Sequence, residues 1–307
     1  LANTLEVYMR IGIDLGGTKI EGVVMDTEGS IVHRLRRPTP AEQGYDAVVQ
    51  AIAGIVGELE TESGSACSVG MGTPGAISQV TGMMKNSNTL CLNGQNLKAD
   101  IEALLKREVR MANDANCFAL SEAIDGAGAG HDVVFGVILG TGVGGGLVIN
   151  GKAREGLHGI AGEWGHNALD ESGPKWFDGQ HGPVEAFLCG GGLARLYEEA
   201  GGDAGVDGHR VVEGLRSNEP AALAGFERYM DYFGRALAVV LNIVDPDCVV
   251  LGGGVSNVDE IYERAPEVLA HYIFNDEVRT PILKNQHGDS GGVRGAAFLW
   301  PLEDLAS

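Results

Sequence analysis

Basic residues are scarce in this chain of 307: 22 Lys and Arg stand against 42 Asp and Glu, a formal charge of −20. A surface so acidic repels phosphate backbones and anionic lipid, which sets aside nucleic-acid and membrane-surface roles. Cysteine is rare as well. The thiols at 67, 91, 117, 189 and 248 form no C-x-x-C pair, so neither a disulfide framework nor a zinc knuckle is expected, and a reducing cytoplasm is the natural location. Long apolar runs are missing. The longest charge-free stretch, Val133 to Gly151, is broken by glycines and ends in the turn pair Asn150-Gly151, so it reads as a buried hairpin and not a membrane span. Residues 1–8 have neither a basic start nor an apolar centre, and no signal peptide is expected there.

What the chain has is glycine: 48 residues, about twice the usual share of ~7%. They follow no triplet period, so they point to tight turns rather than collagen. With 44% hydrophobic residues the chain is expected to fold around sizeable cores, and its length predicts two domains. Arg10 to Asp26 alternates apolar and polar residues on both sides of Gly16-Gly17, which reads as strand, turn, strand. Val137 to Asn150 repeats that layout around Gly140-Thr141-Gly142. Two such hairpins predict an internally duplicated architecture with one hairpin per domain. Helices are expected near 45–60, 97–107, 114–124, 183–200, 220–243 and 292–299, and strands at 68–72, 109–112 and 248–251. A further helix is expected after Gly252-Gly253-Gly254, capped by Ser256 or Asn257 with Glu260 as capping-box partner.

The first hairpin carries Asp14-Leu15-Gly16-Gly17-Thr18-Lys19. Side-chain-free turn residues let backbone N–H groups approach a phosphate, with Asp14 placed for hydrated Mg²⁺ and Thr18 or Lys19 for phosphate oxygens; a plain hairpin with a solvated Asp reads equally well. Gly140 to Gly145 spells G-x-G-x-x-G, the dinucleotide fingerprint. That fingerprint needs a helix after the turn, whereas Leu147-Val148-Ile149 continues as strand. A second phosphate turn, with Thr141 as hydroxyl donor, fits better than NAD. Gly252, Gly253 and Gly254 suit either an adenine lying against backbone or a simple strand-to-helix turn. Asp114 follows Asn113 at a helix start, as a general base or as an ordinary cap. Glu163, His166 and Glu185 form a carboxylate and imidazole set suited to a polyol.

Together these segments resemble the ROK family of sugar kinases and repressors over Arg10 to about Pro301. The resemblance implies a two-domain α/β fold of the actin-like, hexokinase-like (ribonuclease H-like) kind with an active-site cleft between domains. The domains are expected as 9–112 with 296–307, and 113–295. It further implies ATP and Mg²⁺ as cofactors, a homodimer, and Asp114 as the base for a hexose 6-hydroxyl. Gly75, Asn86, Asn88, Asn113, Glu163, His166 and Glu185 would bind the sugar. Asp14, Gly16, Gly17, Thr18, Lys19, Gly140, Thr141, Gly142, Gly252, Gly253 and Gly254 would bind the nucleotide. The segments 69–75, 85–94 and 287–297 look most like the bacterial fructokinases, so fructose is the expected sugar, with glucose, mannose or an N-acetylhexosamine as alternatives. Repressors of the family add a DNA-binding winged helix; the nine residues before Arg10 hold none, and a sensor role is the lesser expectation. One departure stands out. The family's zinc loop, C-x-C-G-x-x-G-C-x-E, corresponds here to Trp176 through Glu185, with Trp176, Asp178 and Pro183 where thiolates belong. No structural zinc is expected, and packing of Trp176 and Phe177 is expected to hold the loop instead.

Overall fold

The computed structural model describes residues 9–177 and 179–305. Its contacts divide the chain into two compact units, Leu1–Gly126 with Gly151–Ala161 and Asp289–Ser307, and Ala127–Asn150 with Gly162–Gly288.

In the first unit the alternating segment around Gly16-Gly17 forms an antiparallel hairpin of β1 (Arg10–Leu15) and β2 (Lys19–Met25). The other strands are β3 (Ile31–Pro38), β4 (Ser68–Thr73) and β7 (Val109–Asn113), and the sheet order is β3-β2-β1-β4-β7. β4 lies parallel to both β1 and β7, so helical crossovers are needed. They are α1 (Tyr45–Ser63) and α2 (Leu97–Leu105). α1 buries Val48, Ile52, Ile55, Val56 and Leu59, one stripe at helical spacing, and these join Ile11, Ile13 and Ile20 in the core. A small hairpin, β5 (Ala76–Ile77) with β6 (Met84–Lys85), follows β4. α3 (Asp114–Ile124) follows β7 directly. The unit is completed by β10 (Lys152–Ala153), α9 (Gly291–Phe298) and α10 (Leu302–Leu305).

The glycine content has a packing reason here. α9 approaches β1 and β4 so closely that a Cβ on Gly12 would lie 2.0 Å from the Val293 carbonyl oxygen, and one on Gly70 would lie 1.8 Å from that of Ala296. A Cβ on Gly295 would stand 1.6 Å from the Cys117 carbonyl oxygen of α3. Any larger residue must push a helix off its neighbour.

The second unit repeats the plan. β8 (Val133–Leu139) and β9 (Val143–Ile149) form the antiparallel hairpin, and β11 (Cys248–Gly252) and β12 (Ile282–Lys284) continue in parallel beside β8. Its helices are α4 (Val184–Leu188), α5 (Gly190–Glu199), α6 (Gly208–Arg216), α7 (Pro220–Val244) and α8 (Asp259–Ala270). α7 opens on Pro220, which needs no N–H there, and stops at Asp245 in the left-handed region. It buries Phe226, Tyr229, Phe233 and Leu237 in the unit's core. Among the described residues no helix is long and apolar enough to cross a membrane.

The structure departs from the sequence expectations in several places. The units divide at Gly126 rather than 112, and 151–161 and 289–295 join the first unit, because α3 packs on α9 and on β10. The helix expected over 183–200 is two helices. Cys189 is extended between them, its sulfur accepting from the Gly192 N–H, and the Gly190 N–H turns to the Gly140 carbonyl at 2.8 Å. After Gly252-Gly253-Gly254 comes a short 3-10 turn, Gly254–Asn257, and α8 begins only at Asp259 without a side-chain cap. Ser256 Oγ bonds back to the Gly253 carbonyl, and Glu260 pairs with Arg216. The helix over 291–298 is followed by one more short turn of helix, α10. Phe177 is 78% exposed but packs against the Trp176 ring, centroids 6.0 Å apart, and edge-on to His166 at 6.4 Å; of the two aromatic residues Trp176 reaches the core.

Candidate active site

The first unit gathers two carboxylates at the ends of the two strands that flank β4. Asp14 lies near the end of β1, in register with Glu21 on β2 and Gly72 on β4. Asp114 opens α3 at the end of β7, one sheet position beyond β4. Desolvation, then the charges of Asp114 and Glu21, raise the Asp14 carboxyl to about 6 despite the nearby Lys19. Desolvation also raises Asp114, against hydrogen bonds that lower it. Its side chain still reaches solvent, so the crowding of protein around it, not enclosure in a core, sets the shift. Two carboxylates that resist ionisation beside each other mark a place where a cation belongs. Asp14, a hard oxygen donor with one ammonium near it, fits Mg²⁺.

Asp114 Oδ1 accepts from the Ala115 N–H at 2.8 Å, a donor it shares with Asn113. The α3 cap is Asn113, whose Oδ1 accepts from the Ala115 N–H at 2.9 Å. Asn113 Nδ2 donates to the Gly75 carbonyl at 3.2 Å. Gly75, at φ +93, lies so close to the next hairpin that a Cβ would be 2.9 Å from the Asn86 carbonyl carbon. Gly75, Asn86 and Asn113 are therefore brought together. Asn86 and Asn88 are exposed, on a loop pinned by Asn93, which accepts from the Ser87 N–H and donates to the Ser87 carbonyl.

The Gly16 to Lys19 turn is closed by the Gly16 N–H donating to the Lys19 carbonyl at 2.9 Å, and Thr39 Oγ1 donates to the Gly16 carbonyl at 2.7 Å. Gly17, Thr18 and Lys19 are exposed, leaving donors for a phosphate. Lys19 lies 3.7 Å from the buried Glu21, which also binds Arg34 and Arg36 at 2.6 and 2.7 Å. This cluster escaped the sequence reading because its members lie on two strands and meet only through pairing.

In the second unit the Gly140-Thr141-Gly142 turn is held from several sides. The Gly140 N–H donates to the Gly142 carbonyl at 2.9 Å, and the Val143 N–H donates to Glu185 Oε2 at 2.8 Å. The Trp164 indole donates to the Gly144 carbonyl at 3.0 Å, tying the Gly162–Asn167 segment to the hairpin. Gly253, at φ +82, abuts Leu139, its Cβ position 2.4 Å from that carbonyl oxygen. The second and third glycine clusters thus adjoin each other. Glu163 and His166 lie 3.8 Å apart, with His166 exposed. Glu185 Oε1 accepts from the Trp176 indole at 2.8 Å and Oε2 from the Val143 N–H at 2.8 Å. Trp176 was read only as packing, and no spacing in the sequence marks it as a partner of Glu185. Among the described residues no group of three His, Cys, Asp or Glu could hold a metal ion. His181 Nδ1 lies 3.3 Å from the Gly173 carbonyl, and Asp178 lies outside the described residues.

Comparison with known proteins agrees with this layout. The chain is 42% identical over 301 residues to an N-acetyl-D-glucosamine kinase of Pectobacterium atrosepticum, covering 95% of this chain and 98% of that protein. It is 38% identical over 300 residues to an N-acetylgalactosamine kinase of a Shewanella species, covering 95% and 96%. Its fold matches a ROK hexokinase from Thermus thermophilus with a TM-score of 0.85 at 31% identity, over 97% of this chain and all of that one. The expected hexokinase-like α/β fold is thereby shown, while the sugars named in these relatives are N-acetylated hexosamines and not fructose. The family description "ROK family" matches residues 10–303, and the chain belongs to that family.

Proposed function

We propose that this protein is an ATP-dependent kinase that phosphorylates the 6-hydroxyl of an N-acetylated hexosamine. The observation that carries the phosphoryl-transfer reading is the pair of raised carboxylates, Asp14 lifted by desolvation and by the charge of Asp114 and Asp114 lifted by desolvation, beside an exposed glycine turn. Phosphoryl transfer needs a positioned base, a cation and donors for spreading phosphate charge, and little covalent chemistry from the protein. Asp114 accepts the hydroxyl proton, and the desolvation that raises its basicity suits it to that task. Asp14 holds Mg²⁺, which neutralises phosphate charge when it arrives with ATP. The Gly16 to Lys19 and Gly140 to Gly142 turns contribute backbone N–H groups to the phosphates. Asn86, Asn113, Glu163 and His166 orient the sugar hydroxyls.

The N-acetyl preference departs from the fructose expectation, and the near full-length identity to two N-acetylhexosamine kinases supports it. Room for a larger substituent supports it too. A cavity of about 250 Å³ opens beside Asn113, walled in part by Ala76, Ile77 and Met111. The test is ADP release with Mg²⁺ across N-acetylglucosamine, N-acetylgalactosamine, N-acetylmannosamine, glucose and fructose. Turnover led by an N-acetylated sugar is expected; turnover led by fructose would refute the substrate, and nucleotide binding without turnover on any sugar would refute the enzyme.

A further inference from the structure

The loop that departs from the family pattern makes its own connection to the phosphate turn. Residues 174–177 and 179–182 fold back on each other through backbone bonds: the Trp176 N–H donates to the Gln180 carbonyl at 2.8 Å and the Gly182 N–H to the Pro174 carbonyl at 2.9 Å. Lys175 and His181 bridge the two segments. Their pairing presents the Trp176 indole, half-buried against the core of the second unit, to Glu185. Glu185 stands in the first turn of α4 and passes the contact on, accepting the indole N–H on Oε1 and the Val143 N–H on Oε2, each at 2.8 Å. Val143 is the residue after Gly142. The carboxylate lies so close to Gly142 that a Cβ there would be 2.6 Å from Oε2. A charged acceptor shared by two neutral donors makes stronger bonds than a neutral one and fixes both partners in orientation.

We infer that Trp176 is a positioning residue: through its hydrogen bond to Glu185 it holds the Gly140–Gly142 turn in the geometry that receives nucleotide phosphate. In this chain an indole and a carboxylate do by hydrogen bonding what a bound metal would do by coordination, and the residues of the loop do not fit zinc. Removing the indole N–H leaves Oε1 to seek water and lets the carboxylate swing away from Val143, so the turn loses its anchor on one side. The Gly190 N–H bond to the Gly140 carbonyl remains, so the turn loosens without unfolding. The inference rests on the phosphate role proposed above for this turn.

The test is calorimetric affinity for Mg-ATP and, separately, for N-acetylglucosamine, in wild type, Trp176→Phe, Glu185→Gln and the double variant, with steady-state turnover alongside. Phe keeps the apolar packing and removes only the donor. Gln offers one acceptor oxygen instead of two, so it can hold the indole or the Val143 N–H but not both, and the link between them breaks either way. Trp176→Phe should weaken Mg-ATP binding about tenfold, the effect of losing one hydrogen bond to a charged group, and leave sugar affinity within about twofold. The double variant should bind Mg-ATP no more weakly than the worse single variant, because both break one link. A fall in melting temperature with unchanged Mg-ATP affinity would overturn the inference, and so would additive losses in the double variant. Wild type that binds Mg-ATP but phosphorylates no sugar would refute the kinase reading while these affinities still decide the inference. Wild type that binds no Mg-ATP would refute both.

Discussion

Replacing Asp14 by Asn should stabilise the protein at alkaline pH while destroying its activity. The Asp14 carboxyl is raised from 3.8 to about 6 by desolvation and by the charges of Asp114 and Glu21. A carboxyl whose folded pKa exceeds its unfolded value binds more protons in the folded state, so stability rises as pH falls from 6 toward 4 and its charge is a net cost above 6. A shift of roughly 2 units corresponds to at most about 3 kcal/mol, and partial exposure of the side chain lowers that toward 1 kcal/mol. Asn keeps the shape and removes the charge. For a folding unit of this size each kcal/mol moves the melting temperature by about 2–4 °C, so a gain of several degrees is expected at pH 8 in EDTA. At pH 4, where the wild-type carboxyl is largely protonated in the folded state, the gain should shrink toward zero. ADP release by the variant should fall at least about a hundredfold, the usual scale for loss of a charged group that acts on the transition state. Scanning calorimetry at pH 8 and pH 4 gives the answer. A variant no more stable than wild type at pH 8, or a gain that persists at pH 4, would refute the electrostatic reasoning.

Asp114→Asn should lower kcat by about 10² to 10⁴-fold, the range for a positioned base, with sugar affinity by calorimetry nearly unchanged; retention of a tenth of wild-type rate would remove Asp114 from that role. Gly295→Ala puts a methyl group 1.6 Å from the Cys117 carbonyl, so a loss of about 3 kcal/mol or failure to fold is expected, readable by chemical denaturation; a wild-type midpoint would mean that α9 moves freely on α3. Metal analysis after dialysis should find no stoichiometric zinc, since Trp176, Asp178 and Pro183 stand in the three thiolate positions of the family loop; one zinc per chain would refute that expectation.

Much of the fold was legible because its signals are local. Alternation around Gly16-Gly17 and Gly140-Thr141-Gly142 gave both hairpins, and the helix expected over 114–124 is α3 at the residues observed, Asp114–Ile124, though its cap is Asn113 and not Asp114. Where local signals competed, the reading went astray. Asn257 and Glu260 spell a capping box, yet Glu260 is drawn to Arg216 on another helix, a partner that no short-range rule can see. Cys189 sits in a sequence that permits one continuous helix, and the helix breaks there because the neighbouring Gly190 N–H finds the Gly140 carbonyl.

The candidate site divides along the same line. The sequence by itself marked the candidate segments, because glycine turns next to Asp14 and Thr141, and Asp114 at a helix start, need only neighbouring residues to be recognised. Tertiary structure decided how those residues behave. Asp14 is raised to about 6 only because strand pairing sets Glu21 beside it and the sheet order brings Asp114 close. Glu185 meets the Trp176 indole only because the chain on either side of the 178 position folds back toward α4. Charge proximity and hydrogen-bond partnership depend on distance through space, and distance through space is what a linear order of residues leaves open.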